Sequence, residues 1–424
     1  MTTRLTILII SLAFIKISGA QETVYIPPGS AIQFGSTTPA GIFGYLINEG
    51  NLSIRKRGDV FFSGKIWANR AGGSLSDNNL DSNSIDGGTV HFVTNPLGQQ
   101  ILDSKSSGSK GSFCNLTIDN NSDVILVSDV TVLNTLQFKR GHLLLNNHDL
   151  IIGDESLNGS ITGYDESRFV VTGSDPTGGF IKHKSIMPGA LATFPVGPTV
   201  SAYSPAQLIN NGIENEFYGR VFNNVYEKAL YGAILTDSTL ALTWAIAKKT
   251  GDNEEVIVKL QNDASIENDV FRSMRNNSYV TIYGNSQWDK PFLWNPAQSP
   301  GDITGSFPIA SSIVNSRRII LNKSLLYLSK KVSNHFKAFT IPNAFSPNGD
   351  NINDKWIVKG LKDYDNCTVE IFTRYGRPVF RSHGYQQPWD GTYNGSPMPV
   401  ATYYYLIDLR NGEKPLSGPL TLLR

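Results

Sequence analysis

A chain of 424 residues has length for two or three domains at about 150 residues each, and a formal net charge of +1 with 17% charged residues gives it no electrostatic reason to seek nucleic acid. Its two cysteines, Cys114 and Cys367, stand far apart in the sequence, which argues against a disulfide framework and for buried thiols. Low charge with abundant Gly, Asn, Ser and Thr suits an exported all-β protein.

The N-terminus opens with Arg4 and the apolar run LTILIISLAFI, followed by SGA ending at Ala20. Small residues at Ser18 and Ala20 match what a signal peptidase requires, so residues 1–20 read as a signal peptide cleaved after Ala20. A transmembrane helix is the weaker reading, because the run stops at Lys16, short of the ~20 residues needed to cross a bilayer. Further along, ALYGAILTDSTLALTWAIA is broken by Thr236, Asp237 and Ser238, so no transmembrane segment is expected in the mature chain.

Between Asn51 and Thr172 the sequence resembles itself, which marks residues 21–177 as a repeat domain. GNLSIRKRGDVFFSGKIWAN from Gly50, CNLTIDNNSDVILVSDVTVLN from Cys114, NTLQFKRGHLLLNNHDLIIG from Asn134 and NGSITGYDESRFVVTG from Asn158 each alternate short apolar runs with polar turns. Leu116 to Leu136 and Val130 to Leu150 are steps of twenty, and Val124 to Leu143 is nineteen. That period predicts a short right-handed parallel β-solenoid, of about five coils from Ile32 to Val171, in which each coil buries its inward residues against its neighbours; an ordinary β-sandwich with even strand spacing is the competing reading. The stretch Arg70 to Gly88 interrupts the period and reads as a surface loop.

From residue 178 to 335 the pattern becomes LALTWAIA, EEVIVKLQ, YVTIYG and RRIILN, short strands between turn signals, which predicts an antiparallel β-sandwich. Glu254 and Glu255 are adjacent on a strand, point to opposite faces and cannot converge on one glycosidic bond, so solvated charges are expected.

Residues 336–424 begin with IPNAFSPNGDNIND, Ile341 to Asp354. Pro342 and Pro347 fix φ, while Gly349 and the Asn and Asp side chains supply left-handed backbone and local hydrogen bonds, so a structured loop is expected. In Tyr403 to Arg410, Tyr403, Tyr405, Ile407 and Leu409 should face one way and Tyr404, Leu406, Asp408 and Arg410 the other. The strand count predicts a small C-terminal β-sandwich.

These last residues resemble the gliding-motility-associated C-terminal domain, the type B sorting domain of the type IX secretion system of Bacteroidetes. The resemblance rests on Pro342, Asn343, Phe345, Pro347, Asn348, Gly349, Asp350, Asn353 and Asp354 in the first motif, on Arg374 and Gly376 in IFTRYGRPVF, on Trp389, Asp390 and Gly391 in WDGTYNG, on Tyr403 and Tyr405 in TYYYLIDL, and on the terminal Arg424. It departs from the family at Asn351 and Ala401, where glycine is usual. The resemblance implies Sec-dependent export, passage through the type IX apparatus and arrival at the cell surface or in the medium, by way of the periplasm and outer membrane. No cofactor is expected. Asp350, Asn353 and Asp354 could also hold calcium, although the twelve-residue spacing of an EF-hand is absent and an Asx-rich turn accounts for the same residues.

For the delivered part, exported solenoids that degrade polysaccharides need convergent acids and bases on successive coils, whereas the corresponding positions here hold Thr117, Gln137, Leu144 and Ile151. His142 and His148 lie in adjacent turns without a third ligand at metal spacing and are expected as exposed turn residues. Aromatics such as Tyr45, Trp67, Trp288 and Trp294 offer faces for sugar rings of a surface polysaccharide or host glycan, if they are exposed. The sequence therefore favours a non-enzymatic, adhesin-like or structural surface protein, with a carbohydrate-binding or polysaccharide-degrading solenoid as the alternative.

Overall fold

The computed structural model describes residues 23–424 apart from 36–38, 71, 77–86, 105–110, 157, 237, 252, 290–302, 304–313, 333–340, 362–363, 365–366 and 411–414. The signal segment with Ala20 and the expected 335/336 boundary lie outside the described residues, as does Trp294. The chain forms two compact units, the C-terminal one made up chiefly, though not solely, of Ser333–Arg424.

The first unit begins as a parallel β-solenoid of about seven turns. Coils start at Thr23–Ile26, earlier than the expected Ile32, because this short strand already pairs in parallel with Tyr45–Asn48. One wall is an eight-stranded sheet and a second is the solenoid half of a thirteen-stranded sheet; a three-stranded sheet, Ala31–Phe34, Asn51–Ile54 and Ser74–Ser76, covers the first coils. The three expected steps are all register pairs: Leu116 lies beside Leu136, Val130 beside Leu150, and Val124 beside Leu143. Part of the expected surface loop is a coil strand instead, since Ser74–Ser76 pairs with Asn51–Ser53.

The reason for the stacking is visible in the inward rows. Val60, Val90, Leu116 and Leu136 form one row across successive strands, and Phe62, Phe92, Ile118 and Phe138 form the next, every one of them buried. No single coil could shield these side chains; each is covered from above and below. Amide side chains, most of them on the strands, tie neighbouring coils along the same axis. Asn48 Nδ2 donates to Asn69 Oδ1 at 2.6 Å, Asn134 Nδ2 to Asn115 Oδ1 at 2.9 Å, and Asn120 Nδ2 to Gln100 Oε1 at 3.0 Å. The amide oxygens of Asn69, Asn115 and Gln100 thereby find donors on the neighbouring coil.

In the larger sheet the parallel pattern ends at Ile181–Ile186, close to the expected change at 178, and in the eight-stranded wall it ends at Val196–Gly197, which still pairs in parallel with Val170–Val171. Strand Ile181–Ile186 pairs in parallel with Leu150–Ile152 on one side and antiparallel with Asn215–Asn223 on the other. The sheet then runs on through Leu242–Lys248, Leu326–Val332 and Ser278–Gly284 without a break. A four-stranded sheet, in the order Leu191–Phe194, Ala206–Asn210, Glu254–Leu260 and Asn315–Leu321, with the first three strands antiparallel, supplies the second layer. The layers meet closely: a Cβ on Gly219 would come within 2.5 Å of the Phe194 ring, so only glycine lets that ring lie on the sheet. The sandwich thus grows from the last coil of the solenoid and shares its sheet.

Leu136→Ala should destabilise the first unit by about 2–5 kcal/mol, because the cavity would sit in a row that cannot collapse sideways. Gln137→Ala, at the next and exposed position, should change stability by no more than about 0.5 kcal/mol. Calorimetry of the full chain checks both, with the L136A transition well below the wild-type one and the Q137A transition overlying it.

Candidate functional site

The C-terminal unit is built on a five-stranded sheet in the order Ala344–Phe345, Leu416–Leu422, Ala401–Asp408, Thr368–Phe372, Pro378–His383. A hairpin of Thr392–Tyr393 and Ser396–Pro397 and a bridge between Trp356 and Trp389 complete it. Its core includes Phe345, Trp356, Trp389, Tyr403, Ile407 and Leu422, all buried and all drawn from this unit. The alternation expected along the tyrosine strand holds where burial is clearest: Tyr403, Ile407 and Leu409 are buried, while Tyr404 and Arg410 are exposed.

The first motif divides into an anchor and a loop. Ala344–Phe345 runs parallel to the final strand, pairing with Thr421 and Leu422, and the Thr421 amide donates to the Asn343 carbonyl at 2.7 Å. The Pro342 carbonyl accepts the Trp356 indole N–H at 2.7 Å. Beyond the anchor, Gly349, Asn351 and Asn353 all have positive φ, at 84°, 66° and 55°. Asn351, the departure from the usual glycine, is held in the left-handed region that asparagine tolerates.

Asp354 closes this loop, its Oδ1 accepting from the Gly349 amide at 2.7 Å and its Oδ2 from the Asn351 amide at 2.8 Å. Asp350 accepts from the Ile352 amide at 2.7 Å and from Asn348 Nδ2 at 3.0 Å. The Ile352 amide above all, with Asn348 next, holds the Asp350 carboxyl below the usual carboxylate range. Both carboxylates expected for calcium thus face the loop's own donors. Among the described residues no group of three or more His, Cys, Asp or Glu side chains could hold a metal ion.

Other motif residues serve the frame. Trp389 packs on Phe345 at 5.3 Å and edge-on to Tyr403 at 5.2 Å, and its indole N–H donates to the Thr392 carbonyl at 2.9 Å. Asp390 caps the same turn by accepting from the Thr392 amide at 3.0 Å. Gly391, at φ 76°, is pressed between Pro347 and Leu422, either of which a Cβ would meet at 2.9 Å. Tyr403 donates to the Pro399 carbonyl at 2.8 Å, Tyr405 packs on Trp356 at 5.3 Å, and Arg424 reaches the Met398 carbonyl at 2.9 Å. Phe345, Pro347, Trp389, Gly391 and Tyr403 therefore converge, whereas Arg374 and Gly376 shape a hairpin turn in which the Gly376 amide donates to the Thr373 carbonyl at 2.9 Å. At that turn Tyr375 is 79% exposed, and at the tip of the first loop Ile352 is 66% exposed, so the rigid frame carries apolar tips.

Sequence reasoning missed Trp356 and Tyr385, both buried, with the Tyr385 hydroxyl donating to the Trp356 carbonyl. Trp356 was detectable, because Trp356 and Val358 alternate with the exposed Ile357 in DKWIVKG.

In the first unit several expectations are corrected. Trp67 is buried in the solenoid core beside Phe62 and Phe113 and offers no face to a sugar, while Trp288 is half-buried with its indole on the Tyr226 carbonyl. Glu254 is not a solvated charge: it lies 3.2 Å from Lys248, whose side chain is wholly buried. His142 is not an exposed turn residue, since its ring packs on Phe169 and meets Asp123 at 2.9 Å. Cys114 and Cys367 are buried thiols that form no disulfide, as expected.

The model of the CHU_C type IX secretion signal domain matches residues 339–422. No curated protein and no solved structure matches the chain. No helix among the described residues is long and apolar enough to cross a membrane.

A carboxyl with a lowered folded-state pKa binds fewer protons when folded, so its stabilising contribution is complete above the unfolded value of about 3.9 and is lost as pH falls through the folded one. Protection of the Ile352 amide against hydrogen exchange, taken relative to the intrinsic rate at each pH, should therefore fall only in acid below about pH 4, and Asp354→Ala should lower the protection of Gly349 and Asn351 at neutral pH. Loss of those two bonds should lower the stability of the unit by about 1–3 kcal/mol. With the described residues of the matched range folded on this frame, the chain carries a type IX secretion signal domain and is exported through the outer membrane to the cell surface or the medium.

Proposed function

We propose that the chain is delivered as a non-enzymatic, adhesin-like or structural surface protein, with residues 1–20 as a cleaved Sec signal. The observation that carries this reading is the way the solenoid spends its charged side chains. Asp59 meets His91 at 2.9 Å, Asp123 meets His142 at 2.9 Å, and Asp119 is held by Arg140, each pair joining one coil to the next. Acids and bases so paired brace the stack and do not converge on a shared point where a bond could be broken. The coil positions at issue point the same way, with Thr117 buried, Leu144 and Ile151 apolar, and Gln137 alone exposed. A depression bordered by Ala202, Asn223, Asn224, Ala241, Leu242 and Ile266 presents no titratable side chain.

Glycan binding without cleavage is the second reading, supported by aromatics at the surface of the first coils: Phe43 is 73% and Tyr25 51% exposed. Such rings stack on sugar faces, although their exposure alone names no ligand.

Incubating the full chain with a panel of polysaccharides separates these readings. Under the structural reading neither shortened chains nor retention appears; retention abolished by Phe43→Ala favours glycan binding, and release of shortened products overturns the non-enzymatic proposal. In the native host, deleting residues 340–424 should leave the first unit folded and in the periplasm.

A further inference from the structure

Strand Leu326–Val332 has its period-two face toward the sandwich interior, where Leu328 and Val332 are buried as such positions require. Between them stands Lys330, with 0% of its surface exposed. An amine in an apolar row is costly when charged, and burial lowers its pKa to about 7, which favours the neutral, nucleophilic form.

The amine is aimed at a carboxamide. Lys330 Nζ donates to Oδ1 of Asn262 at 2.5 Å, and Asn262 is also wholly buried and stands two residues past the end of strand Glu254–Leu260 of the second layer. Asn262 Nδ2 in turn donates to Glu267 Oε1 at 3.1 Å, and the Glu267 side chain is fully buried, its other oxygen 2.6 Å from Arg275 Nη2. Nucleophile, carbonyl and a carboxylate on the leaving nitrogen are thus fixed together in a water-poor interior, the arrangement in which proximity replaces the entropy of encounter.

We propose that Lys330 and Asn262 condense to an intramolecular amide that links the two layers of the sandwich covalently, with Glu267 as the proton carrier. The Lys330 Nζ lone pair attacks Cγ of Asn262, forming a C–N bond, and the bond from Cγ to Nδ2 breaks. One proton leaves Nζ and passes through the Glu267 carboxylate to Nδ2, which departs as ammonia. No oxidation state changes, and no co-reactant is consumed. The product is a neutral amide whose N–H and C=O remain beside Glu267, so the buried amine that the fold otherwise has to accommodate disappears. Arg275 acts on Glu267 and not on the reacting atoms, which makes it a positioning residue.

Protease digestion of the full-length wild-type chain followed by tandem mass spectrometry tests this. The expected result is a branched peptide joining the segments that contain Asn262 and Lys330, lighter than the two linear peptides together by one ammonia, and absent from Lys330→Met and Asn262→Ala. Ammonia can also be lost at Asn-Gly sequences, so the branched peptide is the criterion and a whole-protein mass is not. Recovery from wild type of linear peptides alone, carrying intact Lys330 and Asn262, overturns the proposal whether or not the variants fold. In Glu267→Gln the branched peptide should form more slowly; formation at the wild-type rate would remove Glu267 from the step.

Discussion

A coil of a parallel solenoid cannot bury its own inward side chains, and the architecture of the first unit follows from that constraint. Val90 needs Val60 on one side and Leu116 on the other; Phe92 needs Phe62 and Ile118. Burial of a row of this kind contributes roughly 1.5–3 kcal/mol per large apolar side chain, but only while the neighbouring coils are present. The far end of such a stack must be closed, and here it is closed by continuing the sheet: Ile181 pairs with Leu150 as a coil and with Gly219 as a sandwich strand. Solenoid and sandwich are consequently one body of hydrogen bonds, in which the sandwich both caps the coils and adds a second layer of its own.

The C-terminal unit obeys a different logic. Its core is closed by aromatic residues that come from loops as well as strands, with Trp356 and Trp389 bridged backbone to backbone and flanked by Tyr385, Tyr403 and Tyr405. The motif residues divide between this core and two turns held by their own side chains, so that loop shape depends on Asp354, Asp390 and left-handed Asn and Gly residues instead of on what precedes the unit. A module of this kind can present the same surface behind any cargo, which is the physical requirement on a secretion signal read as folded structure.

Periodicity made much of this legible. Three sequence steps were register pairs because the inward apolar residue recurs once per coil, and the turn chemistry of the first C-terminal motif was readable because Pro, Gly and Asn restrict the backbone locally. What escaped depended on contacts distant in sequence. The strand at Ser74–Ser76 is polar and three residues long, and only its partner Asn51–Ser53 makes it a strand. Glu254 looked solvated because nothing local reveals the buried Lys248 beside it. Lys330 sits in LYLSKKV at a core-facing position, yet an amine at such a position reads as surface until Asn262 and Glu267 are seen around it. Trp67 illustrates the converse, an aromatic available on paper and enclosed in fact.

The account turns on the C-terminal unit acting as a self-contained address. Joining residues 339–424 to an unrelated folded protein that otherwise stops in the periplasm, and measuring how much of that passenger reaches the surface or medium of a type IX-competent cell, tests this most directly. Delivery of the passenger is the predicted result, and it should weaken when Trp389 is replaced by alanine. A passenger that stays in the periplasm although the attached unit is folded would contradict it.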